Sequence, residues 1–377
     1  MKYKIFLLVI LLILIAYINA DAQEHFGLFT TFNPSAETIA FGNESGTAYI
    51  WGNNPLNSWS NPALLAYSSG LSWGWSHDPW LEGFVDGIYM NSSYVSYANQ
   101  NFGLLLPMLN ASTDWGTTLD YGETEIYNAE GHLIGHYRSR EISTRFGIGC
   151  KILKTILKNR LSNLSDKMEI SLGYDLRYIV SNIPPMILKT SPPDGTGFMH
   201  GIGFLGHIRP LQFIPNVNHA IKMDITAGLY KMNVTKNDLS CFDYTYPLLY
   251  GTRGGFAAKL SYGFLGDKLQ GFMPFYGMKN NVSICFIYDT AKYETRSSTW
   301  GQGFEFGLFE TLFLRWGNYH NASEQERNTF GVGVKLNFSS IHFEYNYATF
   351  SIGSLDTTER KDDLMISVDL MKVLGKK

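Results

Sequence analysis

The stretch Phe330–Phe350 constrains the fold most, because apolar and polar residues alternate through nearly all of it. Successive side chains of a β-strand point to opposite faces, so such a segment has one apolar and one polar face. The alternation changes phase at Ser339-Ser340, and each half is about ten residues long, enough for a tilted strand to cross a bilayer. The stretch therefore predicts an amphipathic hairpin whose apolar face holds Phe330, Val332, Val334, Leu336, Ile341, Phe343 and Tyr345.

The same alternation recurs along most of the chain from Leu71, for example in Met168–Tyr178 and Ala220–Met232. We count about sixteen candidate strands, or about fourteen if the polar pair in Glu123–Tyr137 is an external hairpin; both numbers are even, as in single-chain outer-membrane barrels. Short and long connections also alternate, as they do in such barrels. The short ones are Phe309–Thr311 and Ser339-Ser340, and the long ones are Ser181–Gly197, Asn233–Gly255 and Ser351–Asp363. We therefore predict an all-β fold, a transmembrane antiparallel β-barrel of about 14 strands.

The first residues, Met1–Ala22, are predicted to be a secretory signal peptide. Basic residues precede the apolar core Ile5–Ile18, and Ala20-Asp21-Ala22 has the small-x-small pattern of a cleavage site. The alternative is a membrane anchor, but the apolar core is short for a spanning helix. Beyond it no run of about eighteen apolar residues occurs, so a membrane-embedded mature chain is expected to be a closed barrel.

Composition excludes several classes of protein. The chain has 30 Lys+Arg against 33 Asp+Glu, a net charge of −3, which argues against a nucleic-acid surface. Its three cysteines form no CxxC pair, so neither a disulfide framework nor a zinc site is indicated. The soluble alternative is a secreted β-sandwich. A glycine-rich polar face with both charge signs, and Tyr and Trp at strand ends, favour lipid instead.

No motif predicts catalysis, a cofactor or a metal. Gly201–Gly206 matches GxGxxG, but no βαβ unit surrounds it, so strand glycines are expected. His132 and His136 share a strand face without a third ligand, which favours a solvated hairpin. Charged residues on the polar phase lack a nucleophile–base spacing and are predicted to line the lumen: Asp175, Arg177, Asp224, Lys335 and Glu344.

Residues 23–70 do not alternate and are predicted to form turns and short helices, with Pro62 at a first helical position behind the cap Asn61. Within them, PLNSWSNPALLA at Pro55–Ala66 resembles the N-terminal signature of the PorV/PorQ group of outer-membrane proteins, although Leu64 stands where glycine is usual. Gly303–Tyr319 and Phe330–Ala348 also resemble that group, which is related to the FadL long-chain fatty-acid transporters.

The resemblance implies a fourteen-stranded barrel whose N-terminal segment folds into the lumen as a hatch. It also implies two functions, because FadL relatives pass hydrophobic molecules and PorV-type members act with the type IX secretion machinery. In one respect the chain departs from a typical barrel: it ends in VLGKK rather than in an aromatic residue.

Our leading hypothesis is an outer-membrane protein of a Gram-negative-type bacterium, with a hatch at residues 23–70 and a barrel at 71–377, that binds or passes a hydrophobic small molecule. The alternative is a non-transporting barrel of a type IX-like secretion or surface-assembly system. Expected partners are outer-membrane lipid, a hydrophobic small molecule or secretion components, and no nucleic acid. The mid-chain strands offer few inward apolar residues, so any pocket is expected at the hatch. Its candidate residues, which could equally just pack the hatch in place, are Phe41, Tyr49, Trp51, Trp59, Asn61, Pro62, Ala63 and Leu64.

Overall fold

The computed structural model describes most of the chain beyond the predicted signal peptide, which lies outside the described residues. The described ranges are 28–42, 46–79, 87–99, 101–128, 130–153, 168–182, 195–216, 219–241, 244–264, 281–294, 298–321, 327–352 and 357–373. No helix within these ranges is long and apolar enough to cross a membrane.

The chain is all-β and forms a closed antiparallel barrel of 14 strands, which confirms the predicted fold class. The strands are β1 Gly70–Pro79, β2 Tyr89–Ala98, β3 Phe102–Pro107, β4 Thr117–Tyr127, β5 Leu133–Lys151, β6 Met168–Ser181, β7 Gly195–Asn216, β8 His219–Met232, β9 Asp238–Cys241, β10 Tyr244–Pro247, β11 Gly251–Phe264, β12 Asn281–Tyr293, β13 Thr299–Leu308, β14 Leu312–Asn321, β15 Arg327–Phe338, β16 Ile341–Ile352 and β17 Thr357–Val368.

The seventeen strands of the described residues occupy only fourteen positions around the barrel wall, for two reasons. β3 and β4 share one position between β2 and β5, one above the other, with residues 108–116 interrupting the ladder. β9 and β10 form a small hairpin at the edge of β7, while β8 pairs directly with β11. Pairing of β1 with β17 closes the cylinder.

Connections of varied length lie at both ends of the barrel, so each end is named after one landmark. One end holds the tight turns at Phe309–Thr311 and Ser339–Ser340, where Ser339 has φ 54°, and also Gly70 and Val368, where the wall begins and ends. We call it the short-turn end. The opposite end, which carries the β9–β10 hairpin, is the long-loop end.

The hairpin β15–β16 has the two faces that its alternation predicts. Phe330 is 48% exposed on the outside of the barrel, whereas Glu344 is 2% exposed on the inside. Similar outward apolar residues recur around the wall, and burying them in hydrocarbon is the usual role of such a band in membrane barrels. They include Leu106, Phe146, Ile148, Leu172, Ile202, Phe256, Leu260, Ile284, Leu314, Trp316, Leu336 and Phe343.

Two predictions about wall segments are corrected by the structure. The hairpin in Glu123–Tyr137 is present, but it is not separate from the wall, because its arms are the long-loop ends of wall strands β4 and β5. Ser351–Asp363 is mostly strand rather than loop: β16 runs to Ile352 and β17 begins at Thr357. Both were missed because these strand ends carry polar residues on both faces, so the apolar alternation stops before the strand does.

The hatch consists of short helices: η1 Leu28–Thr31, α1 Ala36–Ile39, η2 Pro55–Trp59 and η3 Pro62–Tyr67. A further short helix, α2 Leu370–Val373, follows the wall. Asn54 and Asn61 cap η2 and η3, each followed by a proline at the first position, so the predicted cap at Asn61-Pro62 is confirmed. Helices of four to six residues are unstable alone, and their conformation therefore depends on contact with the wall.

Candidate functional site

A single strand, β8, shows how the lumen is organised along the barrel axis. From the short-turn end its inward residues run from Lys222 and Asp224, which face a cavity, to Thr226, whose hydroxyl donates to Ala48 O of the hatch at 2.6 Å. Beyond them Tyr230 and Met232 are buried among apolar side chains. The lumen thus has a charged end, a middle layer filled by the hatch, and an apolar end.

Inward glycines of the wall let the hatch backbone approach the strands closely. At Gly203 a Cβ would lie 2.0 Å from Asn61 Oδ1, and at Gly173 it would lie 2.1 Å from Ala63 N. At either distance a Cβ would force the hatch or the wall to shift, so glycine is favoured at both positions. We call the set the glycine girdle: Gly74, Gly103, Gly149, Gly173, Gly203, Gly228, Gly303, Gly317 and Gly331.

Asn61 connects three parts of the molecule. Its Oδ1 accepts from Ala63 N at 3.0 Å and so caps η3. Its Nδ2 donates to Thr47 O within the hatch and to Phe204 O in the wall, both at 3.0 Å. A buried amide with all these bonds made fixes the position of η3 against β7.

An ionic cluster around Arg315 holds the first half of the hatch. The Arg315 guanidinium donates to Glu305 Oε2 at 2.9 Å in the wall and to Glu37 Oε1 at 3.0 Å in the hatch. The Tyr49 hydroxyl lies within 3.1 Å of both carboxylates. All four side chains are buried, so this contact stabilises only the seated position of the hatch.

Glu37, a hatch residue outside the spanning strands, is the member of this cluster that titrates unusually. Burial, and then the nearby charge of Glu344, raise the pKa of Glu37 to about 8 although Arg315 opposes the shift. A second donor, Asn57 Nδ2, lies 2.6 Å from Glu37 Oε2. The hatch therefore carries a group whose proton occupancy changes near neutral pH.

A second ionic cluster holds the other side of the hatch. Asp175 accepts from Arg145 at 2.7 Å and from Arg177 at 2.9 Å. The same arginines donate to hatch carbonyls, Arg145 to Ser58 O at 2.7 Å and Arg177 to Thr30 O at 3.3 Å. Wall cations thus replace water as partners of the hatch backbone, which explains why charges predicted to line the lumen are buried.

An apolar layer fills the long-loop end of the lumen. It consists of residues from η1, from the inward faces of the wall and from the β9–β10 region: Phe29, Met90, Leu119, Ile179, Met199, Tyr230, Met232, Leu239, Leu248, Leu249, Ala291 and Tyr293. The prediction that the mid-chain strands supply little apolar surface is wrong, because β6, β7 and β8 contribute four of these residues. The sequence signal for this layer is a set of apolar residues at inward positions near one end of each of these strands, where the alternation otherwise places polar residues.

A charged cavity of about 350 Å³ lies on the opposite side of the hatch, near the short-turn end. Its hatch side is formed by Glu37, Tyr49 and Trp51. Its wall side is formed by Lys222, Asp224, Lys259, Ser261, Gly263, Asn281, Glu310, Phe313, Lys335 and Glu344.

The predicted site residues fall into separate places. Phe41 packs on Tyr49, with ring centroids 5.1 Å apart, whereas Trp59 lies under the Arg253 guanidinium at 3.7 Å. Of the eight predicted hatch residues, Tyr49 and Trp51 line the charged cavity; Phe41, Asn61, Pro62, Ala63 and Leu64 are buried in the hatch–wall packing. Among the predicted lumen residues, Asp175 and Arg177 hold the hatch, and Asp224, Lys335 and Glu344 line the cavity.

The fold and this lumen define a plugged β-barrel, and comparisons with known proteins give only distant likenesses. No protein-family model and no curated protein sequence matches the chain. Among solved structures it is similar to the CymD monoaromatic hydrocarbon channel, with 11% identity and a TM-score of 0.38, covering 89% of this chain and 96% of the other.

Two further solved structures are similar at the same level. A Pseudomonas aeruginosa FadL homologue has 10% identity and a TM-score of 0.35, covering 93% of this chain and 100% of that one. The TodX deltaS2S3 mutant monoaromatic hydrocarbon channel has 11% identity and a TM-score of 0.40, covering 87% and 97%. These scores are too low to indicate a shared function.

Proposed function

We propose that this chain is an outer-membrane barrel that binds a hydrophobic small molecule in the apolar layer and passes it towards the hatch. The apolar layer is the observation that carries the proposal. Soluble ions and sugars gain nothing from a lumen end lined by methionine, leucine and tyrosine, whereas an apolar molecule is stabilised there by leaving water. The outward apolar band supports a membrane location for the same chain.

The hatch supplies an internal occupant of this layer. Phe29 is 1% exposed within it, and Phe32 packs at its border. An aromatic side chain in an apolar site of a lumen occupies the space that an apolar ligand would take. Thr30 lies between Phe29 and Phe32 in the chain, and its carbonyl oxygen accepts a hydrogen bond from Arg177 of the wall. Displacement of Phe29 therefore also strains this contact between the hatch and the wall.

Ligand binding is tested with purified barrel in detergent by equilibrium dialysis of radiolabelled naphthalene. Met199→Asn places a polar amide in the apolar layer and is expected to weaken binding about tenfold, which corresponds to roughly 1.4 kcal/mol. Met223→Asn, on the outward phase of β8, is the matched control and also corrects for naphthalene dissolved in the micelle. Equal binding by the two variants would contradict a ligand site in the apolar layer.

Location is tested separately. Fractionation should recover the chain with the outer membrane, and its gel mobility in SDS should change on heating, as for folded barrels. A mature chain recovered in full as a soluble protein would rule out the membrane assignment, whatever it binds.

A non-transporting role in a type IX-like secretion or surface-assembly system is the second candidate. The observation in its favour is the tight seating of the hatch, since passage through the lumen must break the buried Arg315–Glu37 contact on one side and the hydrogen bond from Arg145 to Ser58 O on the other. Co-purification of secretion components, together with unchanged uptake of naphthalene in a deletion strain, would favour this candidate over transport.

A further inference from the structure

The charged cavity is not used by the proposed function, because the hatch separates it from the apolar layer. The residues that line the cavity include four carboxylates and three lysines. At the cavity border Arg315 is shared between Glu305 at 2.9 Å and Glu37 at 3.0 Å, and Arg209 lies 3.3 Å from Asp224. With Glu305 included, five carboxylates stand against three lysines and two arginines among the described residues, so the charges around the cavity balance.

The carboxylates around the cavity already have good hydrogen-bond donors. Each accepts a bond of 3.0 Å or less from a neighbouring side chain: Glu37 from Asn57 at 2.6 Å, Asp224 from His207 at 2.7 Å, Glu310 from Asn281 at 2.6 Å and Glu344 from Asn346 at 3.0 Å. One oxygen of each carboxylate is therefore already bonded to the protein.

The three lysines are in the opposite situation. Lys335 Nζ is 3.5 Å from Glu344 and Lys259 Nζ is 3.6 Å from Glu305, both long for charge-assisted bonds. Lys222 has no side-chain partner within the described part of the chain. Each ammonium group has three N–H donors, so the lysines offer the cavity several hydrogen-bond donors that the nearby carboxylates do not occupy.

We propose that this cavity binds a small organic anion, with its carboxylate or phosphate group between Lys222, Lys259 and Lys335. A volume of about 350 Å³ is at the lower end of the range for small-molecule sites. Trp51 and Phe313 offer apolar surface for the body of the ligand, and Lys259 Nζ lies 5.6 Å from the Trp51 ring centre. Since Trp51 belongs to the hatch, the bound anion contacts hatch and wall together.

The test is isothermal titration of the full purified barrel with phenylphosphate, benzoate, inorganic phosphate and neutral phenol. Phenylphosphate or benzoate should saturate, inorganic phosphate should bind more weakly, and phenol should not bind measurably. Lys222→Gln should weaken binding of the organic anion about fivefold, and adding Lys259→Gln should bring the loss to about tenfold or more. Lys231→Gln removes the same charge from the other end of β8, on its outward phase, and should change nothing.

Three outcomes would overturn the proposal. They are equal affinities for the Lys222→Gln and Lys231→Gln barrels, no saturation by either organic anion up to about 10 mM, and phenol binding as tight as that of phenylphosphate. Lys222 is exposed, so its substitution should not unfold the barrel, and heat-modifiable gel mobility verifies this for every variant. Naphthalene binding tests the apolar layer on the other side of the hatch, so the result for either site does not decide the result for the other.

Discussion

The two ends of the lumen are built by the same strands and on the same inward phase, yet they carry opposite chemistry. On β8 the inward side chain is Lys222 near the short-turn end and Met232 near the long-loop end. On β6 it is Glu169 at one end and Ile179 at the other. Alternation along a strand therefore determines which face a residue occupies, whereas its distance from the strand end determines which layer it joins.

The middle layer explains how both chemistries coexist in one lumen. The glycine girdle lets the hatch backbone contact the wall, and the Arg315 and Asp175 clusters bond it there. With the hatch seated, buried apolar side chains lie on one side of it and charged side chains facing a cavity on the other. The difference between the ends can be tested by exchanging their chemistry.

The largest effect is expected from placing a charge in the apolar layer. Met232→Glu, at a site 2% exposed and packed in an apolar cluster, should destabilise the barrel by about 5 kcal/mol because the new carboxylate has no partner. Ser261→Glu at the other end faces Lys222 across the β8–β11 ladder and should change stability by less than about 1 kcal/mol. Denaturant titration in lipid vesicles, followed by gel mobility, measures both; similar losses would show that the ends do not differ as described.

The next largest effect concerns the boundary between the ends. Arg315→Met leaves Glu37 and Glu305 without their shared guanidinium and should cost about 3 to 4 kcal/mol, less than an isolated charge because Lys259 remains 3.6 Å from Glu305. Arg209→Met removes an exposed arginine paired with Asp224 and should cost at most about 1 kcal/mol. The same vesicle titration applies, and a cost for Arg315→Met no greater than for Arg209→Met would mean that the cluster does not hold the hatch.

Most of the wall could be predicted from sequence because a barrel strand with an apolar outer face has an apolar residue at every second position along that face. Phe330–Phe350 shows this directly, as both its strands and its turn at Ser339-Ser340 are observed. The strand ends beyond the outward apolar band have no such constraint. At the start of β17 the inward Glu359 and Lys361 alternate with the polar Arg360, so nothing in the pattern marked a strand there.

The lumen was harder to predict because the layer that a residue joins depends on its position along the barrel axis. The cap at Asn61-Pro62 is a local interaction and could be recognised from neighbouring residues. The pairing of Glu37 with Arg315 joins residues 278 positions apart, and no local pattern contains it. Inward glycines were visible as a composition bias, but which of them contact the hatch depends on the register of strands far apart in sequence.

A smaller effect is expected from a single methyl group on the glycine girdle. Gly203→Ala puts a Cβ 2.0 Å from Asn61 Oδ1, so the hatch must shift, at a cost of about 1 to 3 kcal/mol. Gly206→Ala is the matched control three residues along β7, where the nearest atom to a new Cβ is 4.0 Å away, and it should change stability by less than about 0.5 kcal/mol. Protease cleavage within the hatch should rise for the first variant alone; equal cleavage would mean that the girdle does not seat the hatch.

The last effect is a pH dependence of stability, and it concerns Glu37 on the charged side of the hatch. Because the pKa of Glu37 is raised from 4.5 to about 8 by burial and by Glu344, the folded barrel holds a proton there that the unfolded chain releases. The contribution of this group to stability is therefore fully present below pH 4.5 and is lost as pH rises towards 8. Glu37→Gln cannot titrate, so the melting temperature should fall less between pH 5 and pH 8 than in the wild type. Melting curves with the same slope against pH in both proteins would show that Glu37 keeps the same charge in the folded and unfolded chain.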